Sequence, residues 1–217
     1  FVSNFMYLES HGYSQMQKTI LERIAYWKAS PAQNFDLQKG LVLKRGDGPA
    51  KMTIVEFADF RCGHCKTAAP TLHAFTEARQ DVQLIMKPFP LDGTCNEAMQ
   101  GGGDGISCGL AQAVMCAEKI KQEGWKAHDF FFDKQYEIIQ SRNLQKNLEE
   151  LAQHLSLDAQ ELQTCVQSDE IKNLVRDMAK EGATANIRGT PSIFVNGKIL
   201  NGGQLLPVLV EAYKNID

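Results

Sequence analysis

The chain has 217 residues, 43% of them hydrophobic, and a formal charge of −3 from 23 Lys and Arg against 26 Asp and Glu. That length and composition suit one enlarged domain with a sizeable core and exclude a disordered chain. The charges are mixed along the sequence and give no broad basic face, which argues against nucleic acid as a partner, and no apolar run approaches the ~20 residues that span a bilayer.

No charged-then-apolar-then-small pattern follows Phe1, so an export signal or membrane anchor is expected to have been removed or to lie outside this sequence. Met16, Ile20, Ile24 and Trp27 repeat at helical spacing and predict an amphipathic helix over 14–29, ended by Ser30-Pro31. Its stripe can pack on its own domain, form a dimer seam or continue from an anchor, and the sequence does not choose. Gly46-Asp47-Gly48-Pro49 marks a turn, Met52 to Phe60 reads as a buried strand, and Thr67 to Arg79 as a helix with Cys62-Gly63-His64-Cys65 at its start. A second strand spans 82–87, and strand, helix, strand implies a parallel pair with a right-handed crossover. Helical spacing then runs through 108–184, with breaks near Gly124, Ser141-Arg142-Asn143, Leu157-Asp158 and Ser168-Asp169. Asp158, with Glu161 three residues on, and Ser168 read as N-caps. A hairpin over 192–200 turning at Asn196-Gly197 and a helix over 204–214 close the chain.

The CxxC is the chemical centre of this sequence. A strand entering a turn and then a helix puts Cys62 at a helix N-terminus, where unpaired N–H groups and the macrodipole favour a thiolate. Cys62 is the predicted nucleophile, and Cys65 is spaced to attack a mixed disulfide at Cys62 from within the same turn. Zinc is the competing reading, but a lone CxxC supplies two ligands where structural zinc takes four. Neither the cysteines at 95, 108, 116 and 165 nor the histidines at 11, 64, 73, 128 and 154 add a compact ligand pattern, so no metal and no cofactor are expected. Six cysteines, four of them outside the CxxC, favour an oxidising, extracytoplasmic compartment such as the periplasm. The alternative is four buried free thiols acting as small apolar residues.

The order of strand, CxxC helix, strand, helical insertion, Gly189-Thr190-Pro191, hairpin and last helix resembles the thioredoxin superfamily, and most of all its DsbA branch. Glu56 to Cys65 and Gly189 to Gly197 carry the resemblance, which covers roughly residues 41–217. It implies a thioredoxin-like α/β domain over 41–217 with an insertion at about 108–184, preceded by a helical extension over 1–40. The segments Pro90 to Asn96 and Ser107 to Ala117 are similar to DsbA-type domains that pair with, or are fused to, vitamin K epoxide reductase-like membrane oxidases.

The resemblance implies a cis-Pro191 beside the active disulfide, where an extended substrate segment pairs with exposed backbone. It also implies a Thr190 that faces the CxxC and tunes redox behaviour and release of mixed disulfides; threonine there occurs in the isomerase branch too. His64, between the cysteines, is expected to stabilise the Cys62 thiolate when its imidazole is partly cationic, or else to be an exposed turn residue. Glu56 takes the place of the buried acid beneath the disulfide and can exchange a proton with Cys65; an outward-facing surface carboxylate is the alternative. His73 reads as a surface or packing histidine. Of three possible pairings among the other cysteines, Cys95–Cys108 is favoured because it ties down the Gly101 to Gly105 stretch, with Cys116–Cys165 as the second bridge. An exposed Cys95–Cys108 could instead shuttle electrons to the CxxC.

The function expected is a protein thiol–disulfide oxidoreductase that donates the Cys62–Cys65 disulfide to reduced, unfolded cysteine-containing proteins. A membrane quinone-linked oxidase, DsbB-like or vitamin K epoxide reductase-like, would reoxidise it. The rivals are an isomerase or reductase kept reduced and dimeric through residues 1–40, and a non-catalytic binding domain whose CxxC is a structural staple.

Overall fold

The computed structural model describes residues 2–216, with side chains from residue 14 onward. The expectations resting on Phe1 lie outside the described residues. A five-stranded sheet in the order β1-β3-β2-β4-β5 forms the centre. Strand β1 is Leu41–Lys44, β2 Met52–Ala58, β3 Val82–Pro88, β4 Ser192–Val195 and β5 Lys198–Ile199. β2 pairs parallel with β3, Ile54 opposite Leu84 and Glu56 opposite Met86, and antiparallel with β4, Glu56 opposite Ile193. Helix α2, Gly63–Glu77, is the crossover between β2 and β3. This is the α/β, thioredoxin-like architecture expected.

Being central, β2 is buried on both faces and therefore reads as a nearly unbroken apolar run. Alternation sends Met52 and Ile54 to one face and Val55 and Phe57 to the other. The first face packs Leu72 and Phe75 of α2, Leu209 of the closing helix α9 (Leu206–Lys214), and Ile24 and Trp27 of helix α1 (Val2–Ala29). The second packs Phe35, Phe89 and Phe194 around Phe57, with edge-on ring contacts, for example 4.9 Å between the Phe35 and Phe194 centroids. Helix α1 thus lies on its own domain: the Trp27 indole N–H donates to the Val195 carbonyl at 3.0 Å. The stripe is shorter than the spacing predicted, since Met16 is exposed while Ile24 and Trp27 are buried.

Between β3 and β4 stands the helical insertion: α3 Ile106–Lys121, α4 Gly124–Asp133, α5 Gln135–Ser141, α6 Leu144–Leu155, α7 Ala159–Gln167 and α8 Asp169–Thr184. The predicted caps form. Asp158 Oδ1 accepts the Glu161 N–H at 2.7 Å and Ser168 Oγ the Ile171 N–H at 3.4 Å. The core helix α3 is buried from Ile106 to Ala117 and packs against α4, α6, α7 and α8. Fully buried Lys87 on β3 meets Glu181 of α8 at 2.8 Å and donates to the Asp36 carbonyl, anchoring the insertion to the sheet. Among the described residues no helix is long and apolar enough to cross a membrane.

Cys95 is bonded to Cys108 and Cys116 to Cys165, with sequence separations of 13 and 49. Both partners of the first bridge are buried, so it is not a surface disulfide. A bridge stabilises by restricting the unfolded chain, and the longer loop restricts it more. We expect the double variant Cys116→Ala/Cys165→Ala to lose about 4 kcal/mol and Cys95→Ala/Cys108→Ala about 3 kcal/mol in urea unfolding. Equal losses, or none at the longer loop, would contradict this account.

Candidate active site

Strand β2 ends at Ala58 and the chain turns through Asp59, Phe60 and Arg61 into α2, with Cys62 as the N-cap residue in extended conformation (φ −84°, ψ 114°). Asp59 is buried and organises the turn: its Oδ1 accepts the Arg61 N–H at 2.7 Å and its Oδ2 the Leu91 N–H at 2.9 Å, while its carbonyl accepts the Cys62 N–H at 3.1 Å. Arg61 reaches Asp104 at 2.7 Å, and Asp104 also takes Arg142 at 2.9 Å, so the loop carrying the cysteine is tied to the insertion.

Cys62 is half-buried and Cys65 fully buried. The Cys62 thiol is lowered from 9.0 to about 5. A hydrogen bond from the Cys65 thiol contributes most, and the Thr190 hydroxyl and the backbone N–H groups of Cys65 and His64 add to it, against desolvation. A sulfur at the N-cap takes the place that a serine or aspartate oxygen fills in an ordinary helix, facing unpaired N–H groups that stabilise its anion. Thr190 Oγ1 is buried with no hydrogen-bond partner, which leaves its hydroxyl available to the anion, and the Thr190 carbonyl lies 3.3 Å from Cys62 Sγ, where it accepts the S–H of the neutral form. The Thr190–Pro191 peptide is cis, and both residues are half-buried, with Thr190 beside Cys62.

Cys65 is pushed the opposite way, upward, by burial first, then by its bond to Cys62 and the charge of Glu56. Glu56 is 1% exposed, on the sheet face that α2 covers, and neither carboxyl oxygen has a partner. Desolvation, and secondarily the Cys62 charge, raise it from 4.5 to about 8. At neutral pH the site therefore holds one thiolate, one thiol and one protonated carboxyl, the last two of them buried.

Of the residues predicted for the site, the fold brings together Glu56, Cys62, Cys65, Thr190 and Pro191. His64 is at the helix start as expected, but its side chain is exposed and its backbone N–H is the part that supports the thiolate. The other four cysteines lie in the two bridges. Sequence reasoning did not find Gln135: at the start of α5 it is buried, and its amide donates to the carbonyls of Phe60 at 2.9 Å and Cys62 at 3.0 Å. No local signal marks it, because its partners are more than seventy residues away. Asp59 was legible as part of the motif but not as the group that shapes the turn.

A thioredoxin-type sheet with a CxxC at the N-terminus of its crossover helix, set against a cis-proline loop, defines a thiol–disulfide oxidoreductase. The family model for the DSBA-like thioredoxin domain matches residues 53–214, and the chain belongs to that family. It is 25% identical over 169 residues to the probable disulfide bond formation protein D of Bacillus anthracis, covering 73% of this chain and 70% of that one. It is also 25% identical over 155 residues to the thiol:disulfide interchange protein DsbA of Dickeya dadantii, covering 70% and 69%. In fold it is similar to oxidised BdbD from Bacillus subtilis, with a TM-score of 0.68 over 86% of this chain and 97% of that one at 20% identity.

Proposed function

We propose that this oxidoreductase acts as a disulfide donor for reduced proteins outside the cytoplasm. The observation that carries this reading is the asymmetry of the two thiols, Cys62 lowered to about 5 and Cys65 raised by burial. A stabilised thiolate stabilises the reduced pair, so the oxidised pair readily accepts electrons.

A substrate thiolate attacks Cys62 Sγ, the Cys62–Cys65 bond breaks, and Cys65 leaves with the electron pair. Glu56, protonated at neutral pH, gives its proton to the Cys65 sulfur, which cannot stay charged in its buried place. A second substrate thiolate then attacks the substrate sulfur of the mixed disulfide and expels Cys62 as a stable thiolate. The products are an oxidised substrate and a reduced enzyme. Thr190 and Pro191 offer the edge along which an extended, unfolded segment pairs, and Gln135 and Asp59 hold the loop that presents Cys62.

A membrane quinone-linked oxidase, DsbB-like or vitamin K epoxide reductase-like, would return the pair to the disulfide. The two structural bridges support an oxidising compartment, periplasmic or otherwise extracytoplasmic. The thioredoxin-like domain is read as residues 41–217, and the helical extension over 1–40 works with it, since Ile24, Trp27 and Phe35 pack into its core.

Equilibration of Cys62–Cys65 against glutathione tests this, with Cys62→Ser as the blank. After allowance for solvent screening at a half-buried sulfur, the thiolate stabilises the reduced state at pH 7 on the order of 2 kcal/mol, equal to ~40 mV. We expect a potential well above thioredoxin's roughly −270 mV. A value at or below thioredoxin's would make the protein a reductase, or an isomerase kept reduced, and would sink the donor reading while leaving the family assignment intact.

A further inference from the structure

Two histidines far apart in sequence face each other away from the redox centre. His73 lies on α2, eight residues past Cys65 and so about 12 Å further along the helix, and His128 lies on α4. Their rings stack at 5.1 Å between centroids and 29° between planes, and Trp125 sets its indole edgewise against both. Asp129, next on α4, places Oδ1 2.8 Å from His128 Nδ1 and 3.9 Å from His73 Nδ1. The three donor atoms lie within 4.8 Å of one another.

We propose that His73, His128 and Asp129 form a site for a divalent first-row transition ion of the zinc type, which would clamp the catalytic helix α2 to α4. In a tetrahedral zinc site with bonds of ~2.0–2.1 Å, ligand atoms stand about 3.4 Å apart. The observed 2.8 and 3.9 Å from Asp129 stand on either side of that spacing and no pair of donor atoms exceeds 4.8 Å, so side-chain shifts bring the three onto one ion. Two imidazoles and one carboxylate suit zinc, copper or nickel rather than calcium or magnesium, which prefer all-oxygen shells. Among the described residues, Asp129 forms ion pairs with these histidines and with no lysine or arginine, so no protein cation competes for it. His128 is fully buried while the Asp129 side chain is 59% exposed, which gives the site a rigid floor, an open rim and a fourth position for water.

Neither ring has a protein partner for Nε2. A ligating imidazole usually hands its second nitrogen to a carboxylate or carbonyl, and losing such support weakens metal sites about 10–100-fold. The expected affinity is correspondingly weaker than that of a zinc site whose imidazoles are both supported. Bound metal would also rigidify α2 along the flank beside its buried face, without touching Cys62.

Calorimetric titration of zinc chloride into the fully oxidised protein tests the proposal, because every cysteine is then in a disulfide and no thiolate competes. Cobalt(II) absorption reports the coordination. We expect one ion per chain, a tetrahedral cobalt band, and a melting temperature that rises with zinc. His73→Ala and the exposed-site variant Asp129→Asn should each weaken binding at least tenfold, whereas His154→Ala should leave it unchanged. Absence of heat and of a cobalt band at submillimolar ion would overturn the proposal. So would binding that survives both His73→Ala and Asp129→Asn, which would place the ion elsewhere.

Discussion

Alkylation of the reduced protein with iodoacetamide should titrate with a midpoint near 5 and disappear in Cys62→Ser, because Cys62 is the thiol held as a thiolate at neutral pH. Disulfide exchange in Cys62→Ser should fall on the order of a thousandfold or more, toward the uncatalysed rate. Cys65→Ala should keep a reactive Cys62 but move its midpoint upward, since the Cys65 thiol is the first of its stabilising donors. It should also accumulate mixed disulfides, which no internal thiol can then resolve. The pH dependence has a definite sign. The folded value lies below the unfolded one, so the thiolate's contribution to the reduced protein is complete above about 9 and is lost as pH falls toward 5. In the oxidised protein Cys62 does not titrate, so the reduced form should gain stability relative to the oxidised one between pH 5 and pH 7, an advantage that fades as pH falls to 5. Urea unfolding of both forms across that range checks this. A reduced form with no such advantage would mean that the donors around Cys62 do not stabilise its anion.

Glu56→Leu should make the protein more stable and the enzyme slower. Burial raises Glu56 to about 8, so folding takes up a proton at any pH between about 4.5 and 8. Stability must then fall as pH rises through that window and level off above it. At pH 7 the carboxyl costs on the order of 3 kcal/mol. A leucine there is flanked in the sheet by Met86 and Ile193 and meets apolar neighbours. We expect a gain on the order of 2–3 kcal/mol at pH 7, growing with pH up to about 8. Exchange should slow about 10²–10⁴-fold, the usual worth of a positioned proton donor. Glu56→Gln should lose rate without the stability gain, since its amide would be buried without partners. A Glu56→Leu variant that is stabilised but fully active would remove the carboxyl from the mechanism.

Several elements were legible because their causes are local. β2 announces itself as an unbroken apolar run, and Asp158 and Ser168 announce helix starts by chemistry that acts over three residues. β1 is not legible in the sequence, because four residues on a sheet edge with only Leu41 fully buried carry too little pattern. Helix α2 starts at Gly63 with Cys62 in the N-cap position, which agrees with the reading of Cys62 at a helix N-terminus. On α1, Met16 shares the helical spacing of Ile24 and Trp27 but not their burial. Periodicity defines a face of a helix, whereas the extent of the domain beneath decides how much of that face is covered.

The sequence by itself determined the strand-turn-helix context of Cys62 and Cys65, because spacing and residue type suffice for it, and through its resemblance it pointed to the Gly189-Thr190-Pro191 loop and to an acid at position 56. Only the tertiary structure decided what makes these residues a site. It set Thr190 beside Cys62, brought Gln135 to the Phe60 and Cys62 carbonyls, removed Glu56 from water, and put His73 against His128. The physical reason is that desolvation and hydrogen bonding depend on distance in space. Those distances are fixed when the insertion and the sheet pack together, and local pattern does not encode them.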